Sequence, residues 1–316
     1  MEIGSDSTSV GGVTNLANGQ ITVSGAGALL NANNNGIEIA REGTGNLTVS
    51  QGGSVTAGSP SSVDYEALEI GRVGTGSMVL TDPGSSVTVN GLAEVGRAGT
   101  ASIQIENHAT MTAANDPSGI NGSGEFEVGL GNGANGSTQT RVWAGGSGTA
   151  QIASGADLFA VRGVYVGGEG ANGALSISTG GTVESGNLIG IGLSETIAAS
   201  GTLITASGTT APSAATLLTG NGIITVGAGA LLKADGSDIT TSGTSDIQVG
   251  EAIGSTAELN VTGAGATVNS NGKRIGVAGA GQGSLLVAQG GTVLAVRRLR
   301  PMPQSTRAAA RARRVR

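Results

Sequence analysis

Closely spaced acidic residues are the part of this sequence whose chemistry is easiest to name. Asp64, Glu66 and Glu69 lie close together, and Glu125 and Glu127 are separated by one residue. Two carboxyl groups about 5–9 Å apart can hydrolyse a glycosidic bond, one as an acid and the other as a base or nucleophile. Alternating acids on a strand also face water and keep the strand soluble, and no aromatic cluster accompanies them to hold a sugar. We therefore interpret these acids as surface residues and predict no catalytic site.

Two glycine-rich strings imitate ligand-binding loops. Residues 131–136 and 168–173 both read GxGxxG, but a dinucleotide site needs a helix directly after the loop. The sequence after both strings has the pattern of a strand, so we interpret the strings as turns. Residues 167–172 approach a calcium-binding nonapeptide, yet Asn172 stands where that motif needs an aspartate, and no tandem copy follows. His108, the single histidine, is interpreted as a surface turn residue, and we predict no metal and no cofactor.

A sequence unit that recurs along the chain predicts the secondary structure on which these residues lie. The copy at residues 70–87 has an Ile-Gly start, a glycine-rich corner, a short apolar strand and a second turn that closes on valine. Equivalent residues of neighbouring copies, such as Leu80 and Ile105, are 25 residues apart where the spacing is shortest. Apolar residues alternate within each run, which is the period of a strand with one buried face. The unit is too short for a propeller blade and lacks the helix of an αβ solenoid.

A coil of this length fits three short strands and three turns, the layout of a parallel β-helix. Stacking at ~4.8 Å would place equivalent side chains in files. We predict an all-β parallel β-helix (β-solenoid) of about twelve rungs, roughly 60 Å long. Glycine pairs such as 52–53, 180–181 and 290–291 would supply corners with positive φ. The predicted interior ladder contains Val49, Leu80, Ile105, Ile152, Ile177, Val261 and Val287, and a second contains Val55, Val87, Met111, Leu158, Val183, Val268 and Val293.

Charge divides the chain into two segments. Residues 1–296 hold all 22 acidic residues and 8 basic ones, a formal charge of −14, and residues 297–316 hold 8 arginines and no acid. We predict one β-helical domain over 1–296 and a basic tail, disordered or helical, over 297–316. The tail is either a basic arm for anionic lipid or nucleic acid, or the product of a frameshift within a repeat. The acidic, lysine-poor body is a poor nucleic-acid binder, and the absence of cysteine excludes disulfides and thiolate metal sites.

Two stretches carry a family resemblance. Residues 43–55 and 281–293 share Gly-x-Gly, a short apolar strand and Gly-Gly-x-Val in one register. They resemble the 25-residue repeat of type V secretion (autotransporter) and PEP-CTERM-associated proteins, and the resemblance covers most of 36–296. It implies a right-handed parallel β-helical passenger, at the cell surface or outer membrane of a Gram-negative bacterium or secreted, exported by a C-terminal outer-membrane β-barrel. This sequence contains neither a signal peptide nor that barrel, so we interpret it as a passenger fragment cut at both ends.

Three functions stay open at this point. We favour a structural or adhesive rod that is not an enzyme, whose partners would be host-cell, matrix or neighbouring-cell surface ligands and not nucleic acid. The first rival is a β-helical carbohydrate-active enzyme, either a polysaccharide lyase or a glycosidase, which acids stacked on one face beside a groove would favour. The second is the repeat region of a PEP-CTERM-sorted extracellular matrix protein. Coils without caps expose pairing edges, so we also expect end-to-end self-association.

Overall fold

Short runs of alternating apolar residues form strands throughout the structure. The computed structural model describes residues 1–4, 7–10, 13–32, 35–58, 66–114, 124–131, 141–197, 202–205, 208–210, 216–235, 247–250 and 252–295. The basic tail, Asp64, the side chain of Glu66 and most of the first GxGxxG string lie outside the described residues. Within the described ranges there are 33 strands and no helix, which confirms the predicted all-β class.

Three parallel sheets of nine strands each build a β-helix. Sheet 1 contains β1 (Glu2–Ile3), β6 (Ile37–Ile39), β9 (Glu66–Ile70), β12 (Leu92–Val95), β15 (Glu125–Leu130), β19 (Gly163–Gly168), β22 (Leu188–Ile197), β28 (Ile247–Val249) and β31 (Ile275–Val277). Sheet 2 contains β4 (Asn18–Ser24), β7 (Thr44–Ser50), β10 (Thr75–Leu80), β13 (Thr100–Ile105), β17 (Ser147–Ile152), β20 (Asn172–Ile177), β26 (Asn221–Val226), β29 (Thr256–Thr262) and β32 (Gln282–Ala288). Sheet 3 contains β5 (Leu29–Asn31), β8 (Ser54–Ala57), β11 (Ser86–Asn90), β14 (Thr110–Ala114), β18 (Asp157–Ala160), β21 (Thr182–Ser185), β27 (Leu231–Ala234), β30 (Thr267–Asn269) and β33 (Thr292–Leu294).

Six short strands lie outside these sheets or beside them. A hairpin joins β2 (Ser7–Val10) to β3 (Val13–Leu16). A side sheet joins β16 (Arg141–Trp143), β23 (Thr202–Thr205) and β24 (Gly208–Thr210), and β25 (Thr216–Thr219) pairs antiparallel with the end of β22. These elements belong to insertions, so they leave the order of the three main sheets unchanged.

One coil of the helix consists of one strand from each sheet, taken in the order sheet 1, sheet 2, sheet 3. The side chains of each strand alternate, as in β10, where Met78 and Leu80 point into the core and the residues between them point outward. Parallel neighbours lie directly above and below at ~4.8 Å, so apolar side chains of successive coils stack. The resulting core runs without interruption from Ile3 in the first coil to Val268 in the eighth.

The seven residues predicted for the interior ladder lie in one file of sheet 2. Val49, Leu80 and Ile105 are aligned in neighbouring strands, and the file continues through the other four. Two further residues belong to it. Val23 precedes Val49, and Val226 lies between Ile177 and Val261. The second file, in sheet 3, is likewise completed by Leu30 and Leu232.

Nine coils are observed among the described residues, and the prediction of about twelve was wrong. The reason is that insertions lengthen several coils beyond 25 residues. The ladder residues Ile105 and Ile152 are 47 residues apart, and Ile177 and Val226 are 49 apart. Nine coils at the usual strand spacing span about 40 Å.

The corner after sheet 1 explains the Ile/Val-Gly start of each repeat. The residue that follows the last inward side chain of sheet 1 has a positive φ in all nine coils, where left-handed backbone favours glycine. At Gly71 a Cβ atom would also lie 2.7 Å from the carbonyl oxygen of Thr100 in the next coil. Two coils carry alanine instead: Ala40 and Ala278.

The glycine pairs between sheets 2 and 3 serve two different purposes. Gly52 has a φ of 82°, as the prediction of a positive-φ corner requires, and an added Cβ would make only ordinary van der Waals contact, 3.5 Å from Ala26 Cα. Gly53 does not have positive φ, and its hydrogen faces Val23 of the preceding coil, whose carbonyl oxygen would be 2.5 Å from an added Cβ. The first glycine therefore permits the turn, and the second permits the coils to approach.

Candidate functional site

Five glutamates form a file on the outer side of sheet 1. Glu2, Glu38, Glu69, Glu94 and Glu127 occupy equivalent positions in coils one to five, each between two inward-facing apolar residues. We call this row the glutamate file. Like charges in adjacent strands repel each other, so the file requires compensation.

Three members of the glutamate file are buried although they point away from the core. The exposed fraction is 1% for Glu69, Glu94 and Glu127 alike. The sequence-based interpretation of Glu69 and Glu127 as water-facing residues was therefore wrong. Removing a carboxylate from water is expensive unless it is paired and hydrogen-bonded, so these groups need partners or a proton.

Arginines compensate the file in coils two to four. Arg41, Arg72 and Arg97 each lie three residues after the glutamate of their own coil. Arg72 lies 3.7 Å from Glu69 of its own coil and 3.5 Å from Glu38 of the preceding one.

The other two arginines repeat this arrangement. Arg97 lies 3.5 Å from Glu94 and 3.7 Å from Glu69, and Arg41 lies 3.8 Å from Glu38 and 3.1 Å from Glu2. Each arginine thus joins two successive coils along the axis, and alternating charges replace a column of like charge.

Replacement of Arg97 by methionine is expected to lower the free energy of unfolding at pH 7 by roughly 3–5 kcal/mol, because it removes a cation that lies between two buried carboxylates and leaves Glu69 with Arg72 alone. Arg41→Met is the matched control. Arg41 and Glu2 are both more than 40% exposed, and an exposed ion pair contributes about 1 kcal/mol or less. Denaturant titration followed by circular dichroism measures both variants. Equal losses in the two would contradict the assigned role of the inner arginine.

Compensation stops at coil five. The position three residues after Glu127 is occupied by Leu130, and among the described residues neither carboxylate oxygen of Glu127 has a hydrogen-bond partner. Burial, followed by the charges of Glu94, Glu125 and Glu169, raises the pKa of Glu127 well above its ordinary value, with Arg97 opposing. Glu127 is therefore a carboxylic acid that retains its proton under conditions in which an exposed glutamate is ionised.

Glu125 lies two residues before Glu127 on the same outer side of β15. Burial raises the pKa of Glu125 to about 7, and the positive charge of Arg162 opposes the increase. The structure thus brings together Glu94, Glu125, Glu127 and Glu169, which we call the carboxyl cluster.

Tyr165 follows Glu127 in the file, in coil six. Its ring occupies space that two glycines leave open. A Cβ at Gly163 would lie 2.6 Å from Tyr165 Cε2, and a Cβ at Gly190 would lie 2.9 Å from Cδ1. Burial, together with the charges of Glu125 and Glu127, raises the pKa of Tyr165, so its hydroxyl group stays protonated and is a hydrogen-bond donor.

The carboxyl cluster has the groups for general acid catalysis but little access. A carboxyl with a pKa of about 7 is suited to proton transfer at neutral pH. Glu127, however, is covered in the folded chain. In the part of the chain that is described, no three His, Cys, Asp or Glu side chains converge in the geometry of a metal site. As the structure stands, the cluster can bind protons, and a substrate would have to displace what covers it.

The other candidate residues lie at turns. The second GxGxxG string turns at Gly168–Ala171 and continues directly into β20, with no helix. Asn172, in the approximate calcium motif, accepts a hydrogen bond from the side chain of Asn221 at 3.0 Å. His108 has a φ of 60° in the corner between sheets 2 and 3, with its ring over Gly155 of the next coil.

Comparison of the chain with protein families, curated proteins and solved structures finds no match. The described residues also contain no helix long and apolar enough to cross a membrane.

Proposed function

We propose that this chain is a rigid segment of a surface-exposed or secreted protein of the autotransporter-passenger kind, acting as a structural and adhesive rod. The observation that carries the proposal is the unbroken pairing of nine coils in three sheets. Every inner strand is bonded on both sides, and one apolar core runs along the axis. Such repetition yields a stiff, extended body that offers long lateral surfaces.

The repeat resemblance supports the cellular setting. Passenger segments of this repeat class are β-helices carried to the bacterial surface, where ligands on host cells, matrix or neighbouring cells would be the partners. A repeat segment of a PEP-CTERM-sorted matrix protein shares the same fold and is the nearest rival. The downstream coding sequence separates the two, since an outer-membrane barrel supports the first and a short sorting segment the second.

Removal of one whole coil tests the rod directly. Thr75 and Thr100 are equivalent residues, so deletion of residues 75–99 joins Gly74 to Thr100 in register. We expect this variant, fused to an outer-membrane barrel and displayed on bacteria, to stay folded, protease-resistant and accessible to antibody. Deletion of residues 78–101 is the matched control, because it places Ser102 inward and Ile103 outward and should abolish display. Loss of display in both variants would contradict a modular rod.

The carboxyl cluster favours a second candidate, a carbohydrate-active enzyme. Its supporting observation is the elevated pKa of Glu125 beside Glu127. Release of reducing ends or unsaturated products from polysaccharides by the intact chain, lost in Glu125→Gln, would support the enzyme and count against a purely structural rod.

End-to-end self-association belongs to the same proposal. In the last described coil, Val287 is 45% exposed, whereas its counterpart Val261 in the preceding coil is fully buried. Sedimentation velocity over a range of concentrations measures it, and a strictly monomeric chain would contradict it.

A further inference from the structure

The outer side of sheet 2 differs from the rest of this acidic molecule in having almost no charge. Among its nine described strands, Glu258 is the only residue with a formal charge. Outward positions are instead occupied mainly by serine, threonine, asparagine and glutamine. In coils four to seven these side chains include Ser102, Gln104, Thr149, Gln151, Ser176 and Thr225.

This part of sheet 2 is concave. The same side chains line a shallow groove of about 540 Å³ that crosses four coils. Ala174 and Ile223 lie in the file that continues Ser102 and Thr149, and Ile223 is 39% exposed. The groove therefore combines hydroxyl and amide groups with a small aliphatic surface, over a length of about 14 Å.

Hydrogen bonds between coils hold some of these polar groups in place. Gln104 Nε2 donates to Gln151 Oε1 at 3.3 Å, and Thr149 Oγ1 donates to the carbonyl oxygen of Ala101 at 3.4 Å. Each glutamine amide has two donor hydrogens and an acceptor oxygen, so the bond between them leaves hydrogen-bonding capacity directed at solvent. Side chains already fixed across coils lose less conformational freedom when a ligand binds.

We propose that this groove, which we call the sheet 2 groove, binds an uncharged, hydroxyl-rich polymer, a neutral glycan chain. The proposal rests on the adhesive role given above and names its ligand class. Hydroxyl groups of a sugar can exchange hydrogen bonds with the glutamine, serine and threonine side chains, and its C–H faces can contact Ala174 and Ile223. A groove that spans four coils suits an oligomer better than a single sugar.

Other polymers fit the groove less well. Nucleic acid and anionic lipid need positive charge, which these strands lack. A peptide that adds to a sheet needs a free strand edge, and β13, β17, β20 and β26 are each paired on both sides. A neutral glycan needs neither a charge nor an edge.

Affinity electrophoresis and calorimetry with neutral polysaccharides (dextran, amylose and galactomannan) and anionic ones (alginate and polygalacturonate) test the proposal. We expect the intact chain to bind at least one neutral polymer with little dependence on salt. The double variant Gln104→Ala/Gln151→Ala should weaken binding at least tenfold. Thr88→Ala/Thr112→Ala, a neighbouring pair on sheet 3, is the matched control and should bind normally.

Three results would overturn the glycan site: no binding to any neutral polymer, binding to anionic polymers alone, or equal loss in the two double variants. The rod itself is measured separately by the coil-deletion variants. If the chain is displayed normally but binds no neutral polymer, the glycan-binding proposal is contradicted and the structural rod is still supported. Gln104 and Gln151 are exposed, so circular dichroism should show both double variants folded.

Discussion

Replacement of Gly129 by alanine is expected to lower the free energy of unfolding by roughly 3–5 kcal/mol, among the largest single-residue effects in the chain. Gly129 has a φ of 60°, and its missing side chain faces coil six. An added Cβ would collide with the carbonyl oxygen of Asn172 and lie 2.6 Å from Gly173 Cα. Both are backbone atoms of a paired strand, so relief requires that two coils separate.

Gly180→Ala is the matched control for this experiment. Gly180 also has positive φ, at 79°, but the nearest atom to an added Cβ is Gly155 N at 3.9 Å. Only the left-handed backbone penalty of about 1–2 kcal/mol should remain. Thermal and denaturant unfolding, followed by circular dichroism, compare the two. Similar losses would show that backbone conformation, and not the approach of the coils, makes glycine necessary at position 129.

Replacement of Glu127 by glutamine is expected to raise the free energy of unfolding at pH 8. The direction follows from the raised pKa of Glu127 in the folded chain. In the unfolded chain this residue ionises near its ordinary pKa of 4.5, whereas the folded chain keeps the proton bound. The unfolded state therefore holds fewer protons above that pH, and stability falls as the pH rises through the folded pKa. Glutamine carries no charge in either state and removes this loss.

Denaturant titrations between pH 4.5 and pH 8 test that sign. The wild-type midpoint should fall with rising pH, and Glu127→Gln should flatten the fall while leaving the value at pH 4.5 nearly unchanged. Glu125, with a pKa of about 7, should account for part of the pH dependence of the midpoint that remains in the Glu127→Gln variant. Glu258→Gln is the control, because Glu258 is exposed. A Glu127→Gln variant that loses stability at pH 8 would show that the carboxyl has a partner it needs in ionised form.

The strand positions and the length of one coil could be predicted from the sequence because they depend on the pattern of residues that are close together in the chain. Alternation identified the inward residues, and the shortest spacings between them gave the length of a coil. The same method missed Val226 and Leu232, because an insertion between Ile191 and Asn221 separates them from the preceding copies. An interrupted period does not reveal which later residue continues a file.

The carboxyl cluster could not be derived in the same way. Alternation places Glu127 outward, and burial on the outer side depends on chain that is remote in sequence. One usable signal was present. Glutamate, an apolar residue, glycine or alanine, and arginine recur at residues 38–41, 69–72 and 94–97. Three copies of an opposite-charge pair in one register predict axial ion pairs. At residues 127–130 the same pattern ends in leucine, which marks the uncompensated site.

In the part of the chain that is described, the alternating glutamate–arginine pairs of sheet 1 extend from coil one to coil four, and this asymmetry bears on where the rod begins to unfold. Coils six to nine are joined through sheet 1 by backbone pairing and apolar contacts, so we expect loss of structure to begin there and to advance one coil at a time. When the last coil unfolds, the coil before it becomes the new end of the rod. Its three exposed strand edges are nearly identical to those of the coil that was lost. A partly unfolded molecule would then be a shorter rod with the same type of end. Its folded part would expose the same type of strand edge to other chains as the intact rod does.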